Sequence, residues 1–148
     1  MIRMLEDGDQ ATWQSLWIAY VSFDGSTLPD AVHERTWARL MDATEPMHGA
    51  LAFVDGEAVG FVHYLFHRST WSISDACYLQ DLFVLPSVRG TGCGRALIEH
   101  VAAAAAVAGS SRVYWQTQHD NVPAIALYEK VGQRSPYIQF RKDVAPVS

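Results

Sequence analysis

Leu82-Phe83-Val84-Leu85-Pro86-Ser87-Val88-Arg89-Gly90-Thr91-Gly92-Cys93-Gly94-Arg95 runs from an apolar stretch, through a glycine-rich turn, into the start of a helical pattern. A strand, a glycine turn and a helix in that order make an anion site. Free backbone N–H groups and the positive end of the helix dipole converge there, and missing side chains let a phosphate approach. Two common phosphate motifs do not fit. The dinucleotide pattern G-x-G-x-x-G puts Arg95 where its third glycine belongs, and the G-x-x-x-x-G-K-[ST] loop lacks its lysine. The turn also lies past the middle of the chain, whereas a dinucleotide fold usually begins with it. A glycine turn that binds nothing is the alternative, so the flanks must decide.

Upstream, Tyr78-Leu79-Gln80-Asp81-Leu82-Phe83-Val84 predicts a buried central strand that ends at Pro86. Downstream, a long helix is expected from about residue 95 to 108, with Gly109 at its C-terminal cap. The alanines at 102–106 make that helix slim enough to lie close to a sheet. Val113-Tyr114-Trp115-Gln116-Thr117 predicts another strand, Asn121-Val122-Pro123 opens a short helix running to Gly132, and residues 137–141 supply a final strand.

The first half of the chain starts with a short strand at 2–5. Asp7 or Asp9 then caps a helix whose Trp13, Leu16, Trp17, Tyr20 and Val21 recur at helical spacing. Core packing is the expectation for Trp13 and Trp17, against an aromatic wall for a ligand. Pro29 sits in the first turn of a second helix that carries Val32, Thr36, Trp37, Leu40 and Met41. From residue 50 the period becomes that of strands, and Asp55-Gly56 between two apolar runs marks a hairpin. No repeat or linker interrupts this α+β order, so residues 1–148 are expected to form one domain.

Composition narrows the partners. With 11 basic and 16 acidic residues the formal charge is −5, and no Lys/Arg cluster offsets it, so nucleic acid is not an expected partner. The longest run without polar residues, 101–109, is too short to cross a bilayer, and the first residues lack the pattern of a secretory signal. Cys77 and Cys93 form no CxxC pair and are expected as free thiols in a reducing cytoplasm.

Taken with its flanks, Arg89-Gly90-Thr91-Gly92-Cys93-Gly94 resembles the R/Q-x-x-G-x-G/A signature of the GNAT superfamily of N-acetyltransferases. Asn121, Ala124, Leu127, Tyr128 and Gly132 resemble its second motif, N-x-x-A-x-x-L-Y-x-x-x-G. Residues 78–84 are similar to the Y-L-E-D-x-[FY]-V strand of diamine and polyamine acetyltransferases, and Trp115-Gln116-Thr117 is similar to the histone/polyamine branch. The resemblance implies an α+β fold with a mixed, mostly antiparallel sheet flanked by helices. It implies a pyrophosphate of acetyl-CoA on the backbone of Arg89, Gly90, Thr91, Gly92, Cys93, Gly94 and Arg95. The pantetheine arm would lie along Leu82, Phe83 and Val84, in a split between that strand and the next, with Asn121 touching it. It further implies direct attack by a primary amine, with no acyl-enzyme, and a homodimer. A small acceptor is expected (a polyamine, diamine or amino acid), with a protein lysine or N-terminus, or a non-catalytic CoA-binding module, as alternatives.

An amine attacks a thioester only when neutral, and a free alkylammonium has a pKa near ~10.4. Tyr128, a phenol of pKa about 10 in water, suits protonation of the departing sulfur. Gln80 stands where the diamine enzymes carry a glutamate associated with deprotonation, and glutamine cannot take a proton. That leaves a base acting through water, an acceptor that arrives neutral, or Asp81 as the carboxylate near the amine. A carboxylate in an apolar strand needs a partner; an amine cation and an internal arginine are the two candidates. His63 and His67 share a strand face and are candidates for proton carriers or metal ligands, but no third ligand is evident, so ordinary strand histidines and no metal are the expectation. Cys93, at a helix N-terminus, is expected to have a lowered thiol pKa.

Overall fold

In the computed structural model, which describes residues 1–147, β1 (Ile2–Met4), β2 (Met47–Val54), β3 (Glu57–His67) and β4 (Ala76–Val84) pair antiparallel in sequence order. β5 (Val113–Tyr114) then joins β4 in parallel, so the sheet is mixed and mostly antiparallel. The described residues fall into two compact units, Met1–Gln116 and a second that begins at Thr117.

The first unit holds the whole sheet. Asp55 (φ 51°) and Gly56 (φ 80°) both sit in the left-handed region, as a two-residue hairpin turn between right-twisted strands demands. α1 (Gln10–Phe23) packs on β3 and α2 (Asp30–Met41) on β2. Between them and the sheet lies a core of Trp13, Leu16, Trp17, Val21, Trp37, Leu51, Phe61 and Phe83. Trp13 is 1% and Trp17 7% exposed, so both are packing residues. The strand partners directly beside Leu51 and Phe61, such as Ala50 and Val62, are also buried; they point to the other face by strand alternation. α3 (Cys93–Val107) packs on β3 and β4 with Leu97, Ile98, Val101 and Ala105 buried.

Three sequence expectations need correction. Asp9 occupies the N-cap of α1 without capping it by its side chain. Instead its carboxylate receives a bidentate Arg3 guanidinium at 2.7 and 2.9 Å and the Glu6 N–H at 2.8 Å. The guanidinium fork is the stronger partner; it ties β1 to the start of α1 and holds the Asp9 carboxyl below its ordinary range. Next, the strand expected at 113–117 is only Val113–Tyr114. Finally, residues 137–141 form no strand. A strand exists only within a ladder, and here Tyr137, Ile138 and Phe140 are 87, 79 and 88% exposed. The second unit carries α4 (Val122–Val131), as expected.

Candidate active site

β4 and the turn after it carry most of the expected site. Opposite β3, His63 pairs with Asp81 but Tyr64 pairs with Leu79, so Gln80 is an extra residue in β4. That bulge bends the strand and turns Gln80 out to solvent, where it is exposed. It also sets Asp81 and Phe83 on the α1 side of the sheet, opposite His63 and Phe61. Near the end of β4, a methyl group on Gly60 would come 2.6 Å from the Phe83 carbonyl oxygen, so only glycine lets β3 approach there.

On the other edge, β4 meets β5 only at Cys77↔Val113 and Tyr78↔Tyr114. No further pair continues that ladder toward Leu82, Phe83 and Val84 among the described residues. Such an edge presents main-chain N–H and C=O groups to an extended ligand.

The chain then turns through Gly90 (φ 81°) and Gly92 (φ 89°), conformations that side chains other than glycine's rarely adopt. No atom lies within 4 Å of where a Cβ would sit on either, so the approach to the turn is open. α3 starts at Cys93, and the amides of its first turn, from Cys93, Gly94 and Arg95, lie at the positive end of its dipole. Thr91 donates its hydroxyl to the Val88 carbonyl at 2.6 Å. Arg89 Nε donates to the Val84 carbonyl at 3.2 Å while its guanidinium covers the Phe23 ring at 4.7 Å. Phe23 was not legible as a site neighbour, because α1 and the turn are far apart in sequence. Backbone donors, an open cradle and a half-paired strand fit a pyrophosphate carrying a long polar arm.

Among the described residues the carboxylate of Asp81 has two side-chain partners, and neither is an arginine. Tyr20 donates its hydroxyl to Oδ1 at 3.0 Å, and His63 Nδ1 lies 3.0 Å from Oδ2. The Trp13 indole donates to His63 Nε2 at 2.9 Å. Asp81 keeps 16% of its side-chain surface, whereas His63 is buried. The aromatic rings of Tyr20 and Phe83 stand 5.8 Å apart beside it.

Residues 10–133 match the model of the acetyltransferase (GNAT) family. The chain belongs to the GNAT family of acetyltransferases. It is 37% identical over 145 residues to the D-amino-acid N-acetyltransferase HPA3 of Saccharomyces cerevisiae, covering 97% of this chain and 90% of that one. It is 30% identical over 107 residues to the thialysine N-epsilon-acetyltransferase of Caenorhabditis elegans, covering 69% and 66%. Its fold is similar to that of AAC(6′)-Iy, solved with the bisubstrate analog CoA-S-monomethyl-acetylneamine, with a TM-score of 0.85, 20% identity and 98% of both chains covered.

The remaining motif residues of this GNAT chain lie in the second unit. Asn121 caps α4: its Oδ1 accepts from the Ala124 N–H at 3.4 Å, and its Nδ2 donates to Thr117 Oγ1 at 3.3 Å. Its side chain thus fixes the start of α4. Tyr128 is half-buried on α4, and burial pushes its phenol above its ordinary value. The expectation for Cys93 is corrected, since burial raises its thiol pKa and outweighs the opposing pull of the chain's N-terminal charge. His67 shares a strand with His63 but bonds elsewhere, its Nε2 lying 2.6 Å from the Tyr114 hydroxyl.

Proposed function

We propose that this acetyltransferase moves an acetyl group from acetyl-CoA to the nitrogen of a small primary amine, by direct attack with both substrates bound. The observation that carries this is the buried-side carboxylate of Asp81, on the same face of β4 as Phe83 and two residues from it, about 7 Å along the strand. The backbone of the glycine turn takes the pyrophosphate, and the open edge at Leu82, Phe83 and Val84 takes the pantetheine arm. An N–H at Phe83 or Val84 receives the oxyanion as it forms. Asp81 attracts the ammonium and draws off its proton, directly or through water. The neutral nitrogen then bonds to the carbonyl carbon, the C–S bond breaks, and the nitrogen, now positively charged, sheds its second proton to solvent to leave the neutral amide. Tyr128 gives the departing sulfur its phenolic proton and regains one from solvent.

The relatives support a small acceptor: one is named for D-amino acids, the other for thialysine. Both pair an amine with a further polar group on a short chain. An acceptor of that size, such as an amino acid or short diamine, suits one carboxylate beside the Tyr20 and Phe83 rings. The family match spans both units, which supports treating the chain as one catalytic domain. With acetyl-CoA and such an amine, CoA thiol and the amide are expected to form in equal amounts.

We further propose a cytoplasmic homodimer. Cys77 and Cys93 are both free thiols, as a reducing compartment would keep them, and no described helix is long and apolar enough to cross a membrane. For the dimer, the support is the row of exposed Tyr137, Ile138, Phe140 and Val144 on a segment without a ladder. Strand pairing with a second copy would cover it. Light scattering is expected to give twice the chain mass; a monomer at all concentrations dismisses the dimer.

A further inference from the structure

We propose that His63 and Tyr20 are positioning residues that hold the Asp81 carboxylate for the acceptor, and that His63 does so as a neutral, fixed hydrogen-bond donor, taking no proton from the reaction. This rests on the role given to Asp81 above.

The argument starts at the innermost group. The indole nitrogen of Trp13 can only donate, so His63 Nε2, at 2.9 Å, must be an unprotonated acceptor. The proton of the neutral imidazole is therefore on Nδ1, and it points at Asp81 Oδ2, 3.0 Å away. A second proton on His63 would have to enter at Nε2 and break the Trp13 bond. Among the described residues the indole bonds to His63 alone, and Trp13 is 1% exposed with its ring among Trp17, Trp37 and His63. An indole N–H left unbonded in that core keeps the cost of its desolvation with no hydrogen bond to offset it. His63 is thus a poor relay and a good support.

The chain of donors runs one way. Trp13 donates to His63, His63 to Asp81, and Tyr20 to the other Asp81 oxygen at 3.0 Å. Two bonds from two different elements, α1 and β3, fix the plane of the carboxylate. A carboxylate has about four acceptor positions, so two remain for the acceptor. With only 16% of the Asp81 side-chain surface open, those positions face a narrow approach. The consequence is a division of labour. Asp81 supplies the charge, while Tyr20 and His63 supply the orientation that makes the charge selective.

The test combines spectroscopy of the intact protein with steady-state kinetics. Heteronuclear NMR of the imidazole nitrogens at neutral pH is expected to show the His63 proton on Nδ1, with Nε2 bare. A proton on Nε2, or on both nitrogens, overturns the proposal. In kinetics, His63→Leu and Tyr20→Phe are expected to raise the amine KM about 10- to 100-fold, the weight of a hydrogen bond to a charged group, and to leave the acetyl-CoA KM unchanged. Tyr20→Phe deletes only a hydroxyl and so covers the case in which His63→Leu does not fold. His63→Asn, whose amide N–H reproduces the Nδ1 donor, is expected to recover most of the loss. An amine KM unmoved by Tyr20→Phe, or no recovery in a folded His63→Asn, contradicts the positioning role. If Asp81→Asn leaves amine kinetics intact while the proton is on Nδ1, the assignment of Asp81 falls and the positioning role with it. Absence of any amine acetylation, with the same NMR result, would refute the proposed reaction instead.

Discussion

Asp81→Asn is expected to lower kcat/KM for the amine by about 10²- to 10³-fold, in line with the few kcal/mol lost when one partner of a desolvated charge pair is truncated. The amide keeps the size of the carboxylate and loses its charge, so the acceptor ammonium meets a neutral group. The acetyl-CoA KM should stay near the wild-type value, because the glycine turn and the edge of β4 are untouched. A modest loss of stability accompanies the change. Tyr20 and His63 both donate to Asp81, and an amide, with one oxygen and one NH₂, cannot answer both. The unanswered donor costs about 1–3 kcal/mol, read as a lower Tm. A lower Tm with unchanged amine kinetics would show that Asp81 only supports the fold.

Tyr128→Phe is expected to slow kcat by about 10²-fold, the low end for loss of a general acid, because a thiolate already leaves fairly well. Both KM values should change little, since the ring is kept. The pH dependence follows from the direction of the phenol's shift. Burial raises the Tyr128 pKa above its ordinary value near 10. The proton is therefore held through neutrality and lost only as the pH rises past that raised value. Wild-type kcat should then show no alkaline fall from Tyr128 below pH about 10, and the variant should run parallel to it at a lower level. A Tyr128→Phe enzyme with full turnover and intact acetyl-CoA affinity removes the residue from the mechanism.

Features set by local chemistry are legible in the sequence itself. Asp55-Gly56 could hardly be other than a hairpin turn, and Gly90 and Gly92 take the left-handed conformations that the glycine-rich turn suggested. The helical stripe of α1 is the buried face it promised to be. What depended on pairing was harder to see. His63 and Asp81 each carry a chemical signal in the sequence, but their meeting rests on the β3–β4 register, and the Gln80 bulge that sets it leaves no clear mark there. Trp13 likewise gave a packing signal, with nothing to show where its N–H would point. Residues 137–141 have the apolar pattern of a strand, but pattern does not supply the neighbour that a strand requires. Cys93 differs for another reason: sequence shows the helix terminus beside the thiol but not the burial that raises its pKa. Asp9 resembled a cap until Arg3, six residues earlier, proved the stronger partner.

Thiol release from acetyl-CoA, followed against D- and L-amino acids, lysine, thialysine, putrescine, spermidine and a histone-tail peptide, bears most directly on the proposed reaction. Turnover well above hydrolysis is expected with at least one of the small amines, with the acetyl group recovered on its nitrogen, and little or none with the peptide. Acetyl-CoA binding with no release against any small amine, or release with the peptide alone, would contradict a small-amine acetyltransferase.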